Sequence, residues 1–497
     1  MKLYFTGHDY KYAAEQMLLT MFPEERPEYP EGKPAGDRME VSLHSGKTFT
    51  TAVCVLVQGG QCFRGRAAVS TEKLGSELIR DRYCQRIIKN AMYRSALASG
   101  RKHPAWGALT GVRPGKLMCA LLDSLGSERE ALKSFTEDYD VTPERAALCL
   151  DTSRETLKAR RSLRENDVCI YIGIPFCPTR CAYCSFVSQS VEKSMTLIEP
   201  FLDALMQEIE ACAQQVRQLG LRVVSAYMGG GTPTTLSAQQ LDVLCTKLED
   251  SFDLSEVREY TVEAGRPDTI SEEKLRVLKK HGVDRVSVNP QTMDDRVLEL
   301  IGRKHTAADI LTALDCVRQV GGFAVNMDLI AGLPGDSVKG FDETLDKVLA
   351  LGAENITVHT LSLKKGSRIT LERSPLPGDG EVAEMLEHAE RKLRASGYMP
   401  YYLYRQKFMS GGFENVGWAK PGSVNLYNIC IMEELCSIIA MGGGGSTKLI
   451  RPDGGRNIRI TAPKYPREYI DTIAGTCREK EKIAAFYGKY REEKAKG

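Results

Sequence analysis

From residue 166 onward, short apolar runs alternate with amphipathic stretches of helical length, and this alternation constrains the fold more than any other feature. The apolar, β-branched runs lie at 168–174, 223–229, 259–264, 284–290, 324–330 and 355–361. The helical stretches lie at 197–219, 238–252, 272–280, 307–320 and 341–351. Strand and helix alternating six times predict an α/β fold, in which right-handed crossovers curl a parallel sheet into a partial (β/α)6 barrel. A closed barrel of this kind requires eight repeats.

The rest of the chain divides into three further parts by its pattern. Residues 1–75 predict a small α+β N-terminal domain, with a hairpin turn at Gly59-Gly60, and residues 76–165 predict a helical segment. We assign 166–400 to the partial barrel and 401–497 to a mainly helical C-terminal domain, which we interpret as a candidate substrate lid. The charged end of the chain, from residue 479, predicts a solvated helix or tail.

Composition excludes several classes of function. The 67 Lys and Arg residues nearly balance the 65 Asp and Glu residues, so the formal charge of +2 gives no support to non-specific nucleic-acid binding. No apolar stretch approaches the ~18 residues of a membrane span, and the start of the chain does not resemble a signal peptide. Fifteen cysteines, an odd number scattered along a long chain, predict a reduced cytoplasmic protein in which lone thiols are buried.

Three cysteines follow the first predicted barrel strand directly. Cys177, Cys181 and Cys184 are spaced Cys-x3-Cys-x2-Cys, so one loop can place three thiolates around a metal centre. Three protein ligands leave one iron of a 4Fe-4S cluster open for another molecule. Structural zinc is a weaker interpretation, because zinc requires a fourth ligand and no histidine lies between His103 and His281. Buried thiols without a metal are the remaining alternative.

Further candidate residues stand at the ends of successive strands. Gly229, Gly230 and Gly231 follow the second strand, Glu263 lies near the end of the third, and Asp328 lies towards the end of the fifth. Because the carboxyl ends of parallel strands meet at one mouth, we expect these residues to surround the cysteine loop. The glycines would let the backbone approach a ligand, although a tight turn after a strand also requires glycine.

These segments resemble those of the radical S-adenosylmethionine (SAM) superfamily and, within it, the oxygen-independent coproporphyrinogen III oxidase (coproporphyrinogen dehydrogenase) family. The resemblance is carried by the cysteine loop at 173–184, by Gly-Gly-Gly-Thr-Pro-Thr at 229–234 and by Asp-Leu-Ile-Ala-Gly-Leu-Pro-Gly at 328–335, and it spans residues from about 166 to 450. The N-terminal extension and the segment Gly-Val-Arg-Pro-Gly-Lys at 111–116 resemble the HemZ type of this family.

The resemblance implies two cofactors and a reaction. Cys177, Cys181 and Cys184 would hold a 4Fe-4S cluster, and one or two molecules of S-adenosyl-L-methionine would bind beside it. The positions that match SAM contacts are Tyr171, Tyr183, Gly230, Gly231, Thr232, Glu263, Gln291, Arg303 and Asp328. The reaction would be oxidative decarboxylation of two propionates of coproporphyrinogen III to vinyl groups, which gives protoporphyrinogen IX and requires a low-potential electron donor. The implied partners are this tetrapyrrole, or haem, and that donor.

Two departures from the dehydrogenase pattern leave a second function open. Cys184 is followed by Ser185 and Phe186, where the dehydrogenases carry a further cysteine, and Gly173 stands where they carry a histidine. The Cys-Ser-Phe sequence resembles the haem-chaperone branch of the same group. A haem-binding chaperone without turnover is therefore the alternative, and radical chemistry on another substrate also stays open because fold does not fix function.

Overall fold

The computed structural model describes residues 1–111, 113–184, 189–190, 194–362, 369, 375–406 and 412–496. The chain divides into two compact units, Met1–Leu150 and Asp151–Gly497. None of the helices in the described part of the chain combines the length and the apolar character that crossing a membrane requires. The finer division into four parts remains a prediction from the sequence.

The first unit contains a four-stranded sheet with its strands in chain order. The strands are β1 (Lys2–Thr6), β2 (Arg38–Ser45), β3 (Phe49–Gln58) and β4 (Gln61–Ser70). The predicted hairpin turn joins β3 to β4 at Gly59 and Gly60, where φ is +56° and +79°, values that glycine adopts without strain. The helices that begin in this unit are α1 (Lys11–Met21), α2 (Glu77–Ala98), α3 (Pro114–Leu125), α4 (Glu128–Tyr139) and α5 (Pro143–Ser162), whose residues from Asp151 onward belong to the second unit.

The second unit contains the predicted partial barrel of six parallel strands. They are β5 (Asp167–Ile174), β8 (Arg222–Gly230), β9 (Tyr260–Glu263), β10 (Arg285–Ser287), β11 (Ala324–Ala331) and β12 (Asn355–Thr360), adjacent in that order. A short parallel pair, β6 (Phe176–Cys177) and β7 (Gln189–Ser190), follows β5. The connecting helices are α6 (Ile198–Leu219), α7 (Ala238–Ser251), α8 (Glu272–Lys280), α9 (Asp295–Leu300), α10 (Ala307–Val320) and α11 (Val338–Leu351). The α/β fold class and the six predicted repeats are confirmed.

The C-terminal part extends the same sheet at both edges. Its strands are β13 (Met399–Arg405), β14 (Glu414–Ala419), β15 (Ser437–Gly442), β16 (Ser446–Leu449) and β17 (Ile458–Thr461). β14 pairs antiparallel with β12, whereas β15 pairs parallel with β5 and continues the parallel sheet to a seventh strand. The helices are α12 (Asp379–Ala395), α13 (Leu426–Glu433), α14 (Pro466–Asp471), α15 (Ile473–Glu479) and α16 (Glu481–Lys496). The sequence analysis anticipated the helices of this part and not its strands.

The last helix, α16, is not the solvated tail that its charges suggested. It buries Ile483, Phe486, Tyr487 and Tyr490 on one face, and the Tyr487 hydroxyl donates a hydrogen bond to Ser437 Oγ at the start of β15. The prediction was wrong because charged residues on the outer face of an amphipathic helix dominate its composition.

A buried ion pair holds the C-terminal part against the barrel. Lys480 and Glu208 have side chains that are 1% and 0% exposed, and their Nζ and Oε1 atoms lie 2.8 Å apart. Glu208 Oε2 also accepts hydrogen bonds from the Gly442 backbone N–H at 2.7 Å and from the Tyr469 hydroxyl. Lys480 donates a further bond to the Ala440 carbonyl at 2.7 Å. The pair therefore joins α6, β15 and α14 at one point.

We expect Lys480→Met to destabilise the second unit by about 3–5 kcal/mol, because the Glu208 carboxylate would stay buried without its counterion. Urea unfolding followed by circular dichroism measures this loss. Lys482→Met is the matched control, since its partner Glu479 is half exposed and such a surface pair contributes under about 1 kcal/mol. Equal stability of the two variants would contradict a structural role for the buried pair.

Candidate functional site

The cysteine loop is fastened to the end of the neighbouring strand by backbone hydrogen bonds. The Gly231 N–H donates to the Ile174 carbonyl and the Thr232 N–H donates to the Phe176 carbonyl, both at 2.7 Å. These bonds bring Cys177 Sγ to 3.4 Å from Thr232 Oγ1. The first cysteine and the glycine segment, predicted to meet, are therefore in direct contact.

This close approach explains why residue 231 is a glycine. A Cβ atom at Gly231 would lie 2.4 Å from the Phe176 carbonyl oxygen and 2.9 Å from that of Ile174. Gly230 has φ of +107°, which side chains rarely adopt. Any residue larger than glycine at these positions would push the second strand away from the cysteine loop.

The rest of the loop is held by a residue after helix α9, by a residue after strand β9 and by a bond within the loop itself. The Ala182 N–H donates to the Ile301 carbonyl at 2.9 Å, and the Cys184 N–H donates to the Cys181 carbonyl at 3.2 Å. Arg266 Nη1 lies 3.9 Å from Cys181 Sγ. All three cysteines are partly buried. Ser185 and Phe186, which follow the third cysteine, lie outside the described residues.

Arg303 connects the loop to the fourth strand. Its Nη2 donates to the Tyr183 hydroxyl at 3.1 Å, and its Nη1 donates to the Asn289 carbonyl at 2.8 Å. Arg303 is 8% exposed, and its Nε has no hydrogen-bond partner among the described residues. Two of the predicted cofactor positions are thus paired with each other, and the guanidinium keeps one donor for a ligand.

Glu263 stands at the end of β9 with its carboxylate over the glycine segment. Its Oε1 accepts a hydrogen bond from the Tyr227 hydroxyl at 2.6 Å, and its Oε2 lies 3.0 Å from where a Cβ of Gly229 would be. Burial raises the pKa of Glu263 to about 7. The hydrogen bond from Tyr227 lowers this pKa, and the negative charge of nearby Asp328 raises it further. A carboxyl group poised near neutral pH in a cleft is typical of a binding site.

Gln291 and Asp328 meet through their backbones. The Gln291 N–H donates to the Asp328 carbonyl at 2.9 Å, although Gln291 has φ of +67°, which is uncommon for a residue other than glycine. Backbone strain of this kind clusters at functional sites. Burial raises the pKa of Asp328, but His359, whose Nε2 lies 3.8 Å away, and the hydrogen bond from Asn326 outweigh it and bring the pKa below its usual value.

Tyr171 lies deeper in the barrel than the other predicted positions. Its ring stacks at 6.2 Å from the rings of Tyr227 and Tyr427, which in turn stack at 4.4 Å from each other. A Cβ at Gly230 would lie 3.4 Å from the Tyr171 hydroxyl. We call Tyr171, Tyr227 and Tyr427 the tyrosine layer. It contacts Glu263 through the Tyr227 hydroxyl.

The sequence analysis missed several residues of this site. Arg266 bonds to Thr179 of the cysteine loop at 2.9 Å, and Asn289 accepts the Asp328 N–H at 3.2 Å through its Oδ1. Both follow a barrel strand by two or three residues, so the strand-end argument could have found them. Tyr427 could not be found in this way, since it comes from α13 and reaches the barrel only in three dimensions.

A cysteine loop beside the strand ends of a parallel barrel is the arrangement expected of a radical SAM protein. Comparisons with known proteins test this assignment. The family model described as the Radical SAM superfamily matches residues 171–348. HemZ of Bacillus subtilis, described as an oxygen-independent coproporphyrinogen-III oxidase-like protein, is 41% identical over 76% of this chain and 76% of its own. The haem chaperone HemW of the same organism is 35% identical over 49% of this chain and 64% of its own.

A solved structure shares the fold. Coproporphyrinogen III oxidase (HemN) from Escherichia coli, described as a radical SAM enzyme, superposes with a TM-score of 0.52 over 65% of this chain and 72% of its own, at 23% identity. The chain belongs to the radical SAM superfamily and, within it, to the HemZ family of coproporphyrinogen-III oxidase-like proteins. Relatives in this group include both oxidases and haem chaperones.

Radical SAM proteins use a 4Fe-4S cluster and S-adenosylmethionine, and the described residues fit both. One loop supplies three partly buried thiols, and the glycine segment packs directly against that loop. Buried polar atoms without a hydrogen-bond partner lie nearby, namely Arg303 Nε and both ring nitrogens of His305. Burial, together with the charges of Arg303 and Arg266, lowers the pKa of His305 to about 4.

We expect Gly231→Ala to abolish cluster assembly while the chain still folds, because the added Cβ would overlap the Phe176 carbonyl. Iron and acid-labile sulfide content after anaerobic reconstitution measures this effect. Gly488→Ala is the control: a Cβ there meets nothing within 4 Å, and alanine in a helix is favoured by about 1 kcal/mol. A full cluster in Gly231→Ala would show that the close approach of the two loops is not required.

Proposed function

We propose that the protein cleaves S-adenosylmethionine reductively and uses the resulting radical to decarboxylate the propionates of coproporphyrinogen III to vinyl groups. The observation that carries the proposal is the contact of the Cys177–Cys184 loop with Gly231, Thr232 and Arg303 at the carboxyl end of one parallel barrel, where Glu263 and Asp328 also lie and where such folds place their active sites. The similarity to HemZ over three quarters of both chains supports the choice of substrate.

We assign each part of the mouth a role in holding the cofactors. Cys177, Cys181 and Cys184 would ligate three irons and leave the fourth open to S-adenosylmethionine. When bound, the two cofactors supply a 5'-deoxyadenosyl radical, given an electron from a low-potential donor. The cofactors carry the difficult chemistry, and the protein's part is to orient them and the substrate.

The acidic and basic side chains would orient S-adenosylmethionine. Glu263 would accept hydrogen bonds from its amino or ribose groups, and Asp328, whose pKa lies below the usual value, offers a second carboxylate. Arg303 keeps Tyr183 in place beside the third cysteine. Gly230 and Gly231 hold the second strand against the cysteine loop.

A haem chaperone is the second candidate, and the surroundings of Gly173 favour it. A Cβ at Gly173 would lie 2.9 Å from the Gly443 carbonyl oxygen, and a Cβ at Gly442 would lie 2.2 Å from the Gly173 carbonyl oxygen. The strand β15 therefore occupies the space that the dehydrogenases' histidine would need. Ser185 and Phe186 also match the chaperone branch in sequence. In this case the protein would bind haem tightly and form no vinyl product.

Anaerobic turnover distinguishes the two functions. We expect the reconstituted protein, given S-adenosylmethionine, a low-potential reductant, an electron acceptor and coproporphyrinogen III, to form vinyl products and 5'-deoxyadenosine in step, as read by chromatography. Cys181→Ala should lose both products with its cluster, whereas Cys316→Ala, a partly buried cysteine away from the loop, should keep them. Cleavage of S-adenosylmethionine without vinyl product, together with tight haem binding, would favour the chaperone and refute the oxidase.

A pH series tests the role of Glu263. Because its pKa is about 7, the carboxyl is mostly protonated at pH 6 and mostly ionised at pH 8. If the carboxylate accepts hydrogen bonds from S-adenosylmethionine, the affinity of the wild type relative to Glu263→Gln should rise several-fold from pH 6 to pH 8. Equilibrium dialysis at both pH values measures this ratio, in which the titration of the ligand itself cancels. Asp328→Asn should weaken binding at both pH values, since Asp328 is ionised at both. A flat ratio for Glu263→Gln would exclude a direct contact.

A further inference from the structure

A second group of thiols lies outside the cysteine loop. Cys169, Cys430 and Cys436 have sulfur atoms that all lie within 4.8 Å of one another, and those of Cys169 and Cys436 are 3.6 Å apart. In the part of the chain that the structure describes, this is the one group of three metal-ligating side chains with such close ligand atoms. We call these residues the thiol triad.

The triad is separate from the proposed cluster site. Cys169 is the third residue of β5, near its amino end, whereas the cysteine loop follows the carboxyl end of the same strand. Ile174 lies five positions after Cys169, which corresponds to roughly 16 Å along an extended strand. Cys430 lies on α13 and Cys436 precedes β15, so the three sulfurs come from three segments that only the fold brings together.

The carboxyl groups of Glu259 and Asp167 lie near Cys430 and Cys436, and apolar side chains pack against the triad. The side chains packed against it include Val224, Ile438 and Tyr427. Cys169 and Cys430 are 0% exposed and Cys436 is 7% exposed. The tyrosine layer belongs to the same packed cluster, so it closes the triad off from the mouth of the barrel. Sulfur ligands in dry, apolar surroundings are the environment that soft metal ions prefer.

The sulfur positions fit a single ion. Metal–sulfur bonds of about 2.3 Å, arranged in a plane around one ion, place three sulfurs ~4 Å apart, and the triad spans 3.6 Å to at most 4.8 Å. A disulfide would instead require two of the sulfurs at about 2.05 Å. The arrangement therefore matches a shared ion better than a bonded pair.

The number of sulfur ligands favours Cu(I) over Zn(II). Structural zinc sites almost always have four protein ligands, and the triad offers three sulfurs against which apolar side chains pack. Cu(I) is soft and is satisfied by three sulfurs. We propose that Cys169, Cys430 and Cys436 bind one Cu(I) ion.

Bound copper would fasten the C-terminal part to the first strand of the barrel. Cys169 and Cys436 are 267 positions apart in the chain, and a metal ion that bridges them stabilises the fold because the unfolded chain offers no preformed site. Each thiol that binds as a thiolate releases one proton to the solvent, and no electron is transferred. The proposal does not depend on the reaction carried out at the other end of the barrel.

The test is anaerobic titration of the reconstituted full-length protein with Cu(I) in competition with bicinchoninate. We expect the wild type to withhold one equivalent of Cu(I), to keep all its cluster iron, and to show three sulfur neighbours in X-ray absorption at the copper edge. That spectrum reports on copper alone, so it is informative in the wild type even if a variant folds poorly. Each of the three serine variants should lose the one equivalent of tightly bound Cu(I). The variants are Cys169→Ser, Cys430→Ser and Cys436→Ser.

Cys245→Ser is the matched control, because Cys245 is equally buried but lies outside the triad, and it should bind copper as the wild type does. Three outcomes would overturn the proposal: no Cu(I) withheld from the competitor, copper binding that persists without the triad, or copper uptake that releases iron. Retention of Zn(II) in place of Cu(I) on the same sulfurs would contradict the choice of ion.

Discussion

The site depends on two backbone hydrogen bonds that join the ends of the first two barrel strands. Gly231 and Thr232 donate to the carbonyls of Ile174 and Phe176, and this contact sets where the cysteine loop begins. It is possible because residue 231 has no Cβ. The loop then inherits its position from the sheet, and a set of partly buried thiols is placed beside the residues that end the third, fourth and fifth strands.

Burial and hydrogen bonds set the ionisation of the two carboxyl groups at the mouth of the barrel. Glu263, partly enclosed beside Tyr227, has a pKa raised to about 7, whereas Asp328, bonded to Asn326 and close to His359, has a lowered pKa. Two carboxyl groups with such different ionisation can serve different groups of one ligand. Arg303 completes the set as a buried cation with bonds to Tyr183 and to the backbone.

The C-terminal part is integral to the barrel. β15 adds a seventh parallel strand beside β5, and the Lys480–Glu208 pair fixes it there. This return of the chain brings Gly443 against Gly173 and brings Cys436 against Cys169. Strand β15 and the residues on either side of it therefore contribute to both ends of the barrel. One end is the mouth, where the radical chemistry is proposed, and the other holds the thiol triad.

The sequence by itself determined the six strands of the barrel and five of its connecting helices, since each carries its own periodicity and their predicted bounds agree with the structure to within a few residues. The short helix α9 was not predicted, because its six residues are too few to show a periodicity. It also placed Glu263 and Asp328 at one mouth, because the carboxyl ends of parallel strands must meet. It could not reveal the added strands, the tyrosine layer or the thiol triad. Those features bring together residues that are far apart in the sequence, such as Cys169 and Cys436, which are separated by 267 positions. Only the tertiary structure decides contacts of this kind, because no local pattern of hydrophobicity or turn chemistry records which distant segments will pack together.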